Sequence, residues 1–394
     1  MPRRITVQER RARLARRHHL APQTRARGVA EVATDLVALH ATDPATVHLA
    51  AGARLTEPSV AAVEQALYDE RTLIRMLGMR RTMFVVPSEC APIIQAACTD
   101  EIAAVERRRL VQHLGEAGIG GDDPAAWLKE VGDATVRALS ARGEALATEL
   151  AADEPRLRER LGMATGKPYA AVVNVTSRVL GVLAADGRIV RGRPRGSWIS
   201  SQYRWSTAED WLPGGLEPWS PGAARRELAR RWLVAYGPAP LADLRWWTGW
   251  TAGAAKQALA GLDVVEVEID DGGTGLLLAE DAVPVRKVGP WVALLPALDP
   301  TVMGWAGREW YLGSHAAALF DRSGNAGPTV WSDGRIVGGW AQGKGGEVRH
   351  RLLEDVGTEV AGRVEEAAAG LTAWLGPIRV TPRFRTPLER ELSG

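Results

Sequence analysis

The stretch PYAAVVNVTSRVLGVLAADGRIVRGR, residues 168–193, decides how the chain is read. Its apolar spacing predicts one long helix. Asp186-Gly187 is a turn signal, and the residues after it read as an arginine-rich strand. Upstream, DDPAAWLKEVGDATVRALSARG (122–143) is a capped helix and GEALATELAAD (143–153) a short one. Helix, short helix, helix and hairpin is the order of a winged helix. Its third helix is the one that reads a DNA groove, and its hairpin is the wing.

The pattern extends both ways. Upstream, the residues from Thr24 to Leu39 have a helical period. Asp43-Pro44 matches an N-cap with proline at the first helical position. TEPSVAAVEQALYDERTLIRML (56–77) predicts another helix and RTMFVVP (81–87) a strand. Downstream of the linker WLPGGLEPWSPG (211–222), three more helical segments precede DVVEVEIDDGGTGLLLAED (263–281), an acidic hairpin. From Val283 the texture becomes short strands and glycine turns, with one helix, EVAGRVEEAAAGLTAWLG. The expected fold is α+β, with three tandem winged-helix modules and a β-rich, barrel-like C-terminal domain. The expected domains are 1–118, 119–210 with a basic wing, 211–282 with an acidic wing, and 283–394.

The composition narrows the function. No apolar run reaches the ~18 residues of a membrane span, and the N-terminus lacks the apolar core of a secretory signal. Two cysteines, Cys90 and Cys98, suit a reduced cytoplasm. They and seven scattered histidines make no zinc set. Net charge is only +2, yet it is segregated. Residues 1–30 hold nine arginines and one acid, 187–205 five arginines and no acid, and 261–281 seven acids and no base. Segregated basic stretches predict a polyanion partner. Arg191, Arg193 and Arg195 alternate along an extended segment and would form a phosphate rail. Arg75, Arg80 and Arg81 flank the first strand pair. Trp198, beside the wing, stacks on an extruded base or packs on its own module.

GGWAQGKG (338–345) approaches a phosphate-binding loop. Lys344 is followed by Gly345, so no hydroxyl can meet magnesium, and no helix follows. It reads as a glycine-bent hairpin whose Gln342 and Lys344 touch a DNA backbone. No nucleotide cofactor and no metal are expected.

The tetrad His40-Ala41-Thr42-Asp43 is the chemical candidate. Asp43 is either the N-cap or a source of negative charge. Thr42 is a turn residue or a holder of water. A neutral His40 near pH 7 either meets a carbonyl at a helix end or takes a proton from water, losing that capacity below about pH 6. The apolar side of the preceding helix would leave this turn exposed on a basic surface.

These residues carry a resemblance. RLARRHHL, LVALHATDP, RMLGMRRTMFVVP, PYAAVVNVTSRVLGVLAADGRIVRG, WVALLPALDP and DGRIVGGW lie in the order seen in the tandem winged-helix DNA glycosylases of the AlkZ-like and YcaQ-like kind. The resemblance covers nearly the whole chain, and LLPALDP with DGRIVGGW is its most specific part. It implies winged helices around a concave DNA-facing surface and excision of bulky or crosslinking N7- and N3-alkyl purines from double-stranded DNA. Such chemistry serves DNA repair or self-resistance to DNA-alkylating natural products. The family's active motif is Gln-x-Gln or Gln-x-Asp, and here those positions hold His40 and Thr42. Its Arg-Gly-Thr-Leu-His stretch becomes Arg80-Arg81-Thr82-Met83-Phe84. The five lysines (Lys129, Lys167, Lys256, Lys287 and Lys344) lie away from the motif, so none is placed to form a Schiff base, which favours a monofunctional enzyme; a monomer is expected. The alternative is a non-catalytic DNA-binding protein, a regulator or damage-binding paralogue.

Overall fold

A computed structural model describes residues 3–163, 171–270 and 273–394. One order of elements recurs three times: a helix, a short strand, two helices and a β-hairpin. Each time the short strand pairs with the second strand of the hairpin. In the first unit the helices are Val29–Asp35, Pro44–Gly52 and Val60–Glu64, the short strand is Leu39–His40, and the hairpin is Leu73–Gly78 with Thr82–Pro87. In the second they are Pro124–Arg142, Ala147–Asp153 and Thr176–Ala185, with Ala145–Leu146 and the hairpin Ile189–Pro194, Tyr203–Thr207. In the third they are Pro221–Tyr236, Leu241–Thr248 and Ala252–Leu259, with a single bridge from Ala239 to Leu276 and the hairpin Val264–Ile269, Thr274–Leu278.

Local chemistry sets several boundaries. Asp123 caps Pro124–Arg142 by accepting from the amides of Ala125 (3.1 Å) and Ala126 (2.9 Å). Gly143, at φ 76°, ends that helix in a conformation that favours glycine. The long helix expected over 168–185 is shorter. Residues 164–170 lie outside the described residues, and Ala171–Asn174 is a strand paired with Arg160–Met163. The β-branched pair Val172-Val173 favours that strand, and the helix begins at Thr176. The helix expected over 24–39 also shortens, to Val29–Asp35, and the chain is extended again at Leu39.

The C-terminal region differs from the barrel expected. Its strands Val292–Leu295, Thr329–Ser332, Arg335–Gln342 and Val348–Leu352 form an open antiparallel sheet in chain order. One face is covered by the helix Thr358–Leu375. That helix and the sheet share a core with Ala45 and Leu49 of the helix Pro44–Gly52. Among the described residues no helix is long and apolar enough to cross a membrane.

Two of the three charged segments neutralise one another. The strand Arg4–Ile5 adds in parallel to the edge of the acidic hairpin, with Arg4 opposite Glu268. Arg4 pairs with Asp270 at 3.0 Å and Arg13 with Asp281 at 3.1 Å, and Arg17 also pairs with Asp281. The basic N-terminus is thus a partner of the acidic hairpin.

A fully buried ion pair lies where the first unit, the third unit and the C-terminal region meet. Arg54 and Asp299 are both fully buried. The guanidinium holds the carboxylate with two bonds, 2.9 Å to Oδ2 and 2.7 Å to Oδ1. Its remaining donors reach the carbonyls of His18 and Ala50 and the hydroxyl of Thr301. Breaking a buried pair by removing one partner costs about 3–5 kcal/mol. Arg54→Met should therefore lower the unfolding free energy in urea by that much, and Arg54→Met with Asp299→Leu should recover part of the loss. A single variant as stable as wild type would show that the pair does not hold these units together.

Candidate active site and nucleic-acid interface

His40 is a strand residue. Leu39–His40 pairs antiparallel with Thr82–Pro87, with His40 opposite Phe84 and Leu39 opposite Val85. Phe84 faces Met76, and Val85 faces Arg75, in the next strand. Directly paired residues share a face of a sheet. His40 and Arg75 therefore lie on opposite faces.

The His40 ring is buried and sits edge-on to Phe84, with centroids 5.4 Å apart. Its Nδ1 is buried without a hydrogen-bond partner among the described residues. Burial, and then the Arg80 charge, hold the imidazole down to about 3. The ring is neutral throughout the physiological range. The exposure expected at a helix end is corrected by this burial.

Asp43 is the N-cap of Pro44–Gly52, and both carboxylate oxygens are used. Oδ1 accepts from the Ala45 amide and Oδ2 from the Arg383 amide, each at 3.1 Å. Burial pushes its carboxyl above the usual range, against the two amide donors and the charges of Arg383 and Arg75. Arg75 donates to the Ala41 carbonyl at 2.9 Å and fixes the loop from the other side. Every residue from 36 to 51 is buried except Thr42. Thr42 is thus the one point at which the motif segment meets solvent.

Beside this loop lies a cleft of about 400 Å³. Leu77, Arg81 and Met83 of the first hairpin form one wall, and the Ala41 amide donates to the Met83 carbonyl at 2.8 Å. The helix Thr176–Ala185 supplies Ser177, Arg178, Gly181 and Ala184, and the helix Asp100–Glu116 supplies Arg109 and His113. Ser177, Gly181 and Ala184 share one helical face, so that wall of the cleft carries only small side chains. The cleft carries Arg81, Arg109, Arg178 and Arg191 against one acid, Glu106. Glu106 is itself held by Arg81 at 3.1 Å and Arg109 at 3.0 Å.

The hairpin tip divides two arginines. Arg80 and Arg81 both take positive φ, 52° and 59°, a conformation that costs energy in residues with side chains. Arg81 turns to the cleft. Arg80 stacks on Trp246, 3.9 Å from its centroid, with Arg308 on the same ring at 4.9 Å. Burial, and then Arg308, bring the Arg80 guanidinium down to about 10.

The rail expected of Arg191, Arg193 and Arg195 is not continuous. Arg191 turns inward onto Trp205 (4.6 Å) and donates to the Met83 sulfur at 3.4 Å. Arg193 is paired with Asp69 at 2.9 Å and Glu64 at 3.2 Å. Arg195 remains exposed. The irregular register between Arg191 and Pro194 breaks the alternation. Trp198 is buried against His48 (4.9 Å) and Trp374 (5.9 Å), so it offers no free face for a base. Gln342 donates to the carbonyls of Gly346 and Ile378 and accepts from the Val380 amide, which makes it a clamp on the backbone. Lys344 is exposed between the paired strands.

The sequence reading missed Tyr203, His48 and Arg383. Tyr203 stood inside the arginine-rich stretch and was visible as an aromatic between Gln202 and Arg204. His48 lies one turn beyond the Asp43 cap. Arg383 approaches through its main chain, and no side-chain pattern announces that.

Among the described residues, His19, Glu31 and Asp35 have the composition of a metal group. His19 already meets the Thr24 carbonyl and Asp35, each at 2.7 Å, and Glu31 accepts from the Arg27 amide. Cys90 and Cys98 are free and buried, and burial pushes their thiols up to about 11 and 12. They are not poised nucleophiles.

Among curated proteins none matches the chain in sequence. In structure it is similar to the Streptomyces sahachiroi DNA glycosylase AlkZ, with a TM-score of 0.72 at 20% identity, over 96% of this chain and 99% of that one. That likeness speaks for the fold. The family model described as DNA glycosylase AlkZ-like matches residues 33–374, a span that includes the tetrad, the cleft and Asp299. The chain belongs to the AlkZ-like DNA glycosylase family.

Proposed function

We propose that the protein is a monofunctional glycosylase that excises bulky N7- and N3-alkylated purines from double-stranded DNA, in repair or in self-resistance to alkylating natural products. We also read its three recurring units as winged helices, the second facing DNA. One observation carries the catalytic reading. Within a buried segment, Thr42 alone is accessible, and the adjacent residue Ala41 is bonded to the main chain of Met83 at the wall of a basic cleft.

An alkylated purine is already a cationic leaving group. The enzyme needs to stabilise an oxocarbenium-like sugar and place a water. In this reading the Thr42 hydroxyl holds the water and the Asp43 carboxylate supplies negative charge. His40, neutral behind the sheet, supports the loop and takes part as a neutral donor or acceptor. Arg81, Arg178 and Arg191 line the path of the strand, while Arg195 and Lys344 add exposed charge.

Single-turnover excision of an N7-alkylguanine duplex tests the assignment. Thr42→Val should lower the rate on the order of 10²-fold or more and leave duplex affinity nearly unchanged, because phosphates carry most of the affinity. Equal rates for variant and wild type would remove Thr42 from the chemistry. No excision of any adduct by wild type would leave a DNA-binding protein without catalysis.

The pH profile has a defined sign. His18, His40 and His48 are all held neutral by burial, His40 and His48 at about 3 and His18 well below its ordinary value. A depressed histidine contributes stability that is complete above its unfolded pKa, about 6.5, and is lost as the pH falls below it. The midpoint should be level above about pH 7 and fall steadily below about 6.5. Excision by the folded fraction should show no histidine titration near pH 6, and its acid limb should follow protonation of Asp43, whose carboxyl burial raises above the usual range. A titration of the rate near pH 6 at constant folded fraction would mean that His40 is exposed during catalysis.

Asp43→Asn should destabilise. An amide group would face one of the two N–H donors now met by carboxylate oxygens, which costs about 1–3 kcal/mol. Arg383→Ala keeps its main-chain amide and should cost much less. Urea unfolding of both variants checks this, and an Asn variant as stable as wild type would show that one of the two bonds is dispensable.

A further inference from the structure

Buried polar groups are almost always hydrogen-bonded, because each unpaired one forfeits its solvation. At the seam between the first sheet and the second hairpin two are not. Nε of Arg75 and the hydroxyl of Tyr203 are buried without a hydrogen-bond partner among the described residues. They belong together. The Arg75 guanidinium lies 4.8 Å from the centre of the Tyr203 ring. Its charge reaches His48 and Asp43, and the charges of Arg75 and Arg191 both reach Tyr203.

Arg75 and Arg191 are two cations at one seam. Burial, and then the Arg75 charge, bring Arg191 down to about 10. Between them they contact the Ala41 carbonyl, the Tyr68 phenol, the Met83 thioether and the rings of Tyr203 and Trp205. The nearby carboxylates are engaged elsewhere. Asp43 holds two amides, and Glu64 and Asp69 hold Arg193. Arginine is the residue suited to multidentate binding of an oxyanion, and a phenol adds a further donor. A ligand for such a set must be anionic and rich in acceptors.

We infer that Arg75, Arg191 and Tyr203, of which Arg191 lines the cleft, form a receptor for a phosphate group. That the phosphate is a diester of a DNA strand rests on the proposed function. The receptor itself rests on the unpaired donors. A phosphate there would neutralise the like-charged seam and complete the contact between the first and second units.

The test uses the full chain with inorganic phosphate and, in phosphate-free buffer, with an undamaged duplex. The Tyr203 hydroxyl has no partner among the described residues, so Tyr203→Phe should keep or raise the thermal midpoint. Phosphate should raise the wild-type midpoint by mass action. Tyr203→Phe should weaken that response about ten- to hundredfold in affinity. Arg191→Met should do the same and lower the log–log salt slope of duplex binding by about 1. Parallel loss of duplex affinity identifies the strand as the source of the phosphate. Loss of the phosphate response alone identifies free phosphate. The inference is overturned if phosphate stabilises wild type and both variants equally or stabilises none. It is also overturned if Tyr203→Phe lowers the midpoint while both affinities hold. Excision plays no part in these measurements, so failure of the glycosylase reading would leave this result standing, and the reverse.

Discussion

The bidentate pair of Arg54 and Asp299 is the constraint on which the site depends. Two fully buried charges are tolerable only with good geometry and every remaining donor met, and here both conditions hold. His18 completes the arrangement, with Nδ1 at 2.8 Å from the Thr301 hydroxyl and Nε2 at 3.2 Å from the Ala235 carbonyl. Four distant parts of the chain are thereby fixed to one point just beyond the helix Pro44–Gly52. The other end of that helix begins at Asp43, which is tied to Arg383. Residues Pro44 to Ala51 are buried on every side, as suits a helix inside the protein. The motif loop is therefore the start of a rigid rod anchored at both ends.

Burial also sets the charge state of His40. An imidazole titrating near 6.5 would carry a variable positive charge near neutral pH. Held down to about 3, it carries none. A neutral imidazole offers one donor and one acceptor, as a carboxamide does in simpler form. The sheet supplies this neutrality by covering His40 with Phe84 and placing it near Arg80. Of these two, Phe84 departs from the Arg-Gly-Thr-Leu-His stretch of the resemblance, whereas Arg80 keeps its arginine.

Much of this was legible in the chain. The cap at Asp43-Pro44, the turn at Asp186-Gly187 and the helical stripes are local, and local chemistry specifies them. The strand character of Leu39–His40 was not legible, because two residues have no period and are extended only by pairing with Thr82–Pro87. The hairpin of Arg160–Met163 with Ala171–Asn174 was hidden because its second strand continues an apolar run into a helix. The open C-terminal sheet looked like a barrel because short strands and glycine turns are common to both. The candidate site was legible as residues but not as geometry. Sequence gives no hint that Arg383 reaches Asp43 through its backbone, or that the partners of Arg193 are Glu64 and Asp69.

Charge shows the difference most clearly. Counting arginines pointed to the N-terminus and the second hairpin alike. In the fold, Arg4, Arg13 and Arg17 meet the acids of the third hairpin across more than 260 residues, and Arg193 meets acids of the first unit. Those charges are cancelled locally and contribute little field at a distance. The electrostatic face is instead set by arginines without an acidic partner among the described residues, such as Arg191 and Arg178, at a cleft with a single glutamate in its lining. A polyanion is attracted by what remains after internal pairing. The basic surface is therefore narrower than the sequence suggests, and the cleft lined by Arg81, Arg109, Arg178 and Arg191 is part of it.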